Sequence, residues 1–296
     1  MDNLEESVRI SGFDLDSYSL ACLGALNVFS KKNPDKVVCL LRGGFPPYRV
    51  VRALAREYLN KDPATFLVPT SDFLRNKKYL IYALAENAAR LANKKGRGSL
   101  FTIDTAITGS SSRQFIKEFI EDFDRAIRRE FLNKNSNLDY HFVRFWSDSE
   151  GRYSRTKLKP VHNTRVSYGQ GSDNCLCSLN FFDYNFGLKS LICEDNPTLL
   201  GIDYPIELRA SENNGVRGQK SEYISQVDKH ASIIVDDTNC FQPRGEQTTS
   251  DLFVDLVVEK SRQNIKKLSY LNERENLTTL TYPPYLVDFC KTLPKK

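Results

Sequence analysis

Apolar residues fall along the first half of the chain at two alternating spacings, and the alternation lays out a fold. Val37-Val38-Cys39-Leu40-Leu41 is an unbroken apolar run ending at Arg42-Gly43-Gly44, the pattern of a short strand buried on both faces of a parallel sheet. A helix is expected from near Pro46-Pro47, with Val50, Val51, Leu54 and Tyr58 on one side and Arg49, Arg52 and Arg56 on the other. The same sequence of signals then repeats. Thr65 to Pro69 reads as a strand and Lys78 to Ala92 as a helix. Leu100-Phe101-Thr102-Ile103 reads as a strand, and Ser110 to about Leu132 as a strongly amphipathic helix carrying Phe115, Phe119, Phe123 and Ile127 at helical spacing. Asp139 to Trp146 alternates into a further strand, and a helix over Ser17 to Phe29, stopped by Lys31-Lys32-Asn33-Pro34, precedes the whole series.

Strand, loop and helix repeated in this way predict an α/β fold with a mainly parallel central sheet flanked by helices. The pattern changes after Ser147. Gly, Ser, Asn and Asp clusters surround short aromatic runs such as Leu179-Asn180-Phe181-Phe182, with one more strand at Ser232 to Asp237 and a closing helix from about Ser250 to Leu271. The expected organisation is therefore a core over residues 1–160 and an α+β, hood-like C-terminal extension over 161–296.

Composition narrows the class. The chain has 296 residues, 40% hydrophobic and 27% charged, enough for a sizeable core and unlike a disordered or fibrous chain. No apolar stretch approaches the roughly 20 residues that span a bilayer, and the start is acidic, so no membrane association and a cytoplasmic location are expected. Seven scattered cysteines read as reduced thiols. Cys175, Cys177, Cys193 and Cys240 lack the spacing of a zinc ribbon or finger. The net charge of +5 conceals an asymmetry: residues 1–160 hold 27 Lys and Arg against 19 Asp and Glu, and the remainder 15 against 18. The first half favours anions, as nucleotide phosphates or nucleic acid, or simply carries a solvated basic face. No helix-turn-helix, ribonucleoprotein or zinc motif supports the latter, although charge alone does not exclude it.

Two segments carry candidate chemistry. Ser99-Leu-Phe-Thr-Ile-Asp104-Thr105-Ala106-Ile107-Thr108-Gly109-Ser110-Ser111-Ser112 runs from a buried strand to a single acid, through a turn rich in hydroxyls, directly into a strong helix. Such a turn aims backbone amides and the positive end of the helix dipole at one point, where Thr108, Ser110, Ser111 and Ser112 add hydroxyls, as in a monophosphate cradle. The same residues would also serve as an ordinary helix cap. In Leu41-Arg42-Gly43-Gly44-Phe-Pro-Pro47, two glycines let amides approach a ligand closely, and Arg42 brings donors suited to phosphate oxygens. A tight strand-to-helix turn also favours Gly-Gly.

Together, from Val37 to about Gln114, these segments resemble the type I phosphoribosyltransferase family, with Leu41-Arg42-Gly43-Gly44 and a following proline most like its purine-salvage branch. The resemblance implies a glycosyltransferase that moves a phosphoribosyl group between pyrophosphate and a nitrogenous base. It implies that Arg42, Gly43 and Gly44 contact pyrophosphate and that Asp104 contacts the ribose hydroxyls. It further implies that Thr105, Ala106, Ile107, Thr108, Gly109, Ser110, Ser111 and Ser112 surround the 5-phosphate of 5-phosphoribosyl-1-pyrophosphate (PRPP). Asp104 and Arg42 would be the catalytic pair, and Mg2+ would arrive with PRPP, near Asp104. The chain departs from the pattern at Ile103, where the family usually has the first of two acids, and at Ile107 in the loop centre. Loss of that carboxylate keeps a second reading open: a non-catalytic PRPP or nucleotide sensor, or a bacterial defence or stress effector, working with an operon-encoded protein partner or as a homo-oligomer.

Other features are weaker. Arg75-Asn76-Lys77-Lys78 reads as a basic helix start, Trp146, Tyr153, Phe181, Phe182 and Tyr184 as aromatics of a second lobe, and Asp236-Asp237 as a strand end. His141, His162 and His230 have no metal-like or triad-like spacing.

Overall fold

The computed structural model describes residues 12–41, 43–69, 77–106, 110–130, 136–148, 164–167, 178–189, 206–210, 222–224, 231–234, 239–243, 249–271 and 282–295. At its centre five strands run parallel. They are β1 (Lys36–Leu41), β2 (Ala64–Pro69), β3 (Arg97–Ala106), β4 (Asn137–Asp148) and β6 (Ser178–Lys189), in the spatial order β6-β4-β3-β1-β2. The antiparallel strand β5 (Thr164–Ser167) edges the sheet beside β6. On the far side β9 (Ala231–Ile234) joins β2 in parallel and carries β8 (Glu222–Ile224). A separate ribbon pairs β7 (Ile206–Ala210) with β10 (Asn239–Pro243).

Why the central strands are largely apolar is plain from what covers them. On one face lie α1 (Gly12–Lys32), α2 (Phe45–Leu59), α5 (Thr249–Ser269) and α6 (Pro284–Thr292), packed over Val37, Cys39, Leu41, Phe101, Ile103, Val143 and Phe145. On the other lie α3 (Lys77–Lys95) and α4 (Ser110–Glu130), packed over Val38, Leu40, Leu100, Leu138, Tyr140, Phe142, Leu179 and Phe181. Successive strand residues therefore enter opposite cores. Phe115, Phe119 and Phe123 of α4 stack along one stripe at centroid spacings of 6.1 and 6.0 Å, and Phe119 meets Tyr140 at 4.7 Å.

The α/β fold with a mainly parallel, helix-flanked sheet is as expected from the sequence. The expected elements of the first half are found within a few residues at each end, with β3 extended past Ile103 to Ala106. Two placements were not expected. The aromatic run around Phe181 belongs to β6 and is registered residue by residue on β4 in the central sheet, not in a second lobe. From the second half too, α5 packs against α1 and α2, where Ser19 and Asn264 hydrogen-bond across the interface at 3.1 Å. Trp146 lies two residues before the end of β4, while Tyr153, His162, His230 and the Asp236-Asp237 pair lie outside the described residues. No helix among the described residues is long and apolar enough to cross a membrane.

Strand order fixes where a ligand would sit. From β1 the chain moves through α2 to β2 on one side, then crosses back through α3 to β3 on the other. Parallel sheets bind ligands in the crevice outside the carboxyl ends of the strands where the winding reverses. Here that point lies between β1 and β3.

Candidate functional site

Both segments singled out in the sequence meet at this reversal. β1 and β3 are hydrogen-bonded in parallel, with Cys39 opposite Ile103, so Gly43-Gly44 after β1 lies beside Asp104-Thr105 of β3. A Cβ on Gly43 would be 3.1 Å from the Thr105 carbonyl and 3.5 Å from Asp104 Oδ1. The bare Gly43 backbone thus faces the acid directly. Gly44 serves as the N-cap of α2 and donates its amide to the Leu40 carbonyl at 2.8 Å.

Asp104 is more deeply seated than a strand-end acid was expected to be, because β3 continues past it. Only 8% of the residue is exposed. Its Oδ2 accepts a 2.6 Å hydrogen bond from Ser112 Oγ in the first turn of α4, leaving Oδ1 as the oxygen toward Gly43. Ser112, expected as a phosphate donor, instead directs its proton to Asp104. Thr105 is buried as well, and its Oγ1 has no hydrogen-bond partner among the described residues. Ala106 ends β3, and Ser110 and Ser111 open α4. Arg42, Ile107, Thr108 and Gly109 lie outside the described residues, as do Arg75 and Asn76. Ile103 points into the opposite core with no exposure.

Sequence reading missed two participants. Arg144 of β4 stands in register with Asp104, and it follows Leu138, Tyr140 and Phe142 on the face covered by α4. It is fully buried, with its guanidinium carbon 5.0 Å from the Phe142 ring centroid. Its Nη2 is 2.9 Å from Oδ2 of Asp183 in β6. That contact is an ion pair without hydrogen-bond alignment, since among the described residues none of Nε, Nη1 and Nη2 has a hydrogen-bond partner. The signal was present in the sequence: a charge in the place of the next core residue, on β4 after Phe142 and on β6 after Leu179 and Phe181. His141, on the opposite face, stacks on Phe182 at 5.0 Å, and burial lowers its pKa to about 4, so it stays neutral.

Burial pushes the Asp104 carboxyl up to about 6, against the opposing pull of the Ser112 hydroxyl, the Thr105 amide and the Arg144 charge. The folded chain therefore keeps this proton to higher pH than the unfolded chain, whose Asp titrates near 3.9. The resulting stability is fully present below about pH 4 and is lost as pH rises toward 6. An Asp104→Asn variant lacks this loss. Between pH 4 and pH 7 the stability difference is expected to swing toward the variant by about 2 kcal/mol, measured by urea unfolding at both pH values. An unchanged difference would show that Asp104 does not titrate in this window.

The arrangement offers one carboxylate, a close-approach glycine backbone and the amino end of a 21-residue helix at the reversal point, a combination suited to a ligand with a phosphate and vicinal hydroxyls. Among the described residues no group of three or more His, Cys, Asp or Glu could hold a metal ion. A lone carboxylate fits Mg2+ only in the manner usual for phosphate substrates, with the ligand's own oxygens supplying most of the coordination. Comparison of the chain with protein-family models, with curated proteins and with solved structures finds no match in any of the three.

Proposed function

We propose that the chain binds a phosphorylated ribose, as PRPP or a nucleotide 5'-phosphate, in the crevice between β1 and β3. On this reading it transfers the phosphoribosyl group between pyrophosphate and a nitrogenous base. The observation that carries the proposal is the meeting of Gly43 and Asp104 at the winding reversal, beside the start of α4. The resemblance of residues 37–114 to type I phosphoribosyltransferases points the same way.

In this reading the Asp104 carboxylate accepts the ribose hydroxyls through Oδ1, while Ser112 holds Oδ2 and fixes the rotamer. The Gly43 backbone, with Arg42, receives pyrophosphate, while Gly44, whose amide is bonded to Leu40, holds the turn; the amino end of α4 receives the 5-phosphate. Bound Mg2+ would neutralise charge on the departing pyrophosphate. Transfer at an anomeric carbon develops positive charge on the sugar, so positioning and electrostatics suffice and no covalent nucleophile is required. The region after Trp146, as holder of the base, and a homo-oligomer or partner protein complete the proposal as extensions of the family resemblance.

One observation favours the sensor reading. Ile103, where the family usually has an acid, is committed to the apolar core, so a second carboxylate is missing from the ribose site. Isothermal titration with PRPP, with and without Mg2+, and with GMP and AMP as product-like controls, separates the readings. Magnesium-dependent PRPP binding followed by pyrophosphate release with a base is expected for the enzyme. Binding without turnover of any nucleobase would establish a sensor, and the absence of heat for every ligand would overturn both.

A further inference from the structure

The apolar rows of β4 and β6 on the α4 face end in a charge pair where neutral packing would serve folding at least as well. Tyr140 and Phe142 continue into Arg144, and Leu179 and Phe181 continue into Asp183. A buried ion pair is a weak contributor to stability compared with well-packed apolar side chains of similar volume. Its position is what distinguishes it: Arg144 is the cross-strand neighbour of Asp104, on strands about 4.8 Å apart. We propose that Arg144, held by Asp183, is a positioning residue for Asp104, supplying the counter-charge that keeps the crevice carboxylate ionised.

The inference rests on the reading of Asp104 as the ligand-facing acid. On the face that holds Asp104, β4 presents Tyr140 and Arg144 and α4 presents Ser112, while Cys39 of β1 lies in the opposite core and Arg113 of α4 acts on Arg144 through its charge. Tyr140 donates no counter-charge, and its hydroxyl is joined to Thr102 Oγ1 at 2.7 Å. Cys39 is held as a neutral thiol by burial. Arg113 opposes the charge on Arg144 while Asp183 supports it. Among these groups Arg144 is the cation that faces Asp104 across the sheet, and the absence of directed hydrogen bonds from its guanidinium leaves charge as its means of action.

The test reads the Asp104 carboxyl directly and without ligand, from its 13C shift against pH in the full chain, assigned by the signal lost in Asp104→Asn. Neutralising the acid with Asp183→Asn releases the Arg144 charge toward Asp104, so the midpoint is expected to fall by about 1 unit, tenfold in proton affinity. The double variant Arg144→Met with Asp183→Asn is expected to raise it by about 1 to 2 units above the parent, and Arg144→Lys to keep it within about half a unit. A merely structural pair would move both neutralising variants in the same direction, or neither, and that result overturns the proposal. Should the double variant fail to fold, a midpoint in Asp183→Asn that stays or rises overturns it alone. PRPP affinity measured against pH on the same proteins is a separate readout: its failure in the parent would dismiss the ligand and leave the titration result standing.

Discussion

Replacing Gly44 with alanine is expected to destabilise the chain by about 3 kcal/mol or more, at the upper end of what overpacking costs. The backbone there, at φ −77° and ψ −13°, is open to any residue, so conformational freedom is not the reason. Space is. A Cβ would collide with the carbonyl of Ile103 and come within 2.6 Å of the carbonyl of Leu40, and both oxygens belong to central strands packed on two faces. Neither can move without disturbing the β1–β3 ladder or the Gly44 amide bond to Leu40. Gly43→Ala forms the natural comparison. Its tightest contact, 3.1 Å to the Thr105 carbonyl, calls for a small adjustment, so a cost of about 1 kcal/mol is expected, while the new methyl occupies the space beside Asp104 Oδ1. Urea unfolding of the two variants should therefore separate a folding glycine from a site glycine. Equal losses at both positions would contradict the geometry.

Arg144→Met is the second large effect. It removes the cation 2.9 Å from Asp183 and leaves that acid, whose side chain is 1% exposed, without the charge it faces. Breaking a buried pair from one side typically costs about 3 to 5 kcal/mol, because the remaining ion stays desolvated. Adding Asp183→Asn to Arg144→Met should recover a substantial part of the loss, since the neutral amide carries no such penalty. Chemical denaturation of the parent, the single and the double variant closes this cycle. If the single and double variants were equally unstable, the loss would lie in packing against Phe142 and not in the broken ion pair.

How much of this was legible in advance depends on the distance over which each signal acts. The strands at 37–41 and 100–103 and the helix stripe of Phe115, Phe119 and Phe123 are written in local periodicity, and they appear where expected. The glycine pair and the single acid were legible as candidate chemistry because their residue types are unusual after buried strands. The role of Ser112 was not, since a hydroxyl at a helix start serves a phosphate, a cap or a neighbouring carboxylate equally well in sequence. Its choice of Asp104 depends on β3 continuing to Ala106, which sets the acid beneath the first turn of α4.

Phe181 shows the same limit for the fold. A mixed aromatic and polar run surrounded by Gly, Ser and Asn gives no local sign of its neighbours, and only pairing with β4 brings it between Tyr140 and Phe142 at ring distances of 5.2 and 6.3 Å. Sequence alone determined the α/β class, the strand-turn-helix units of the first half and the two loops that carry candidate chemistry, because hydrophobic period and turn composition are local properties. Tertiary structure alone decided the strand order, the meeting of Gly43 with Asp104 and the Asp104–Arg144–Asp183 series across β3, β4 and β6. Each of these depends on which strands become neighbours, and that is settled by how all the apolar faces are buried at once.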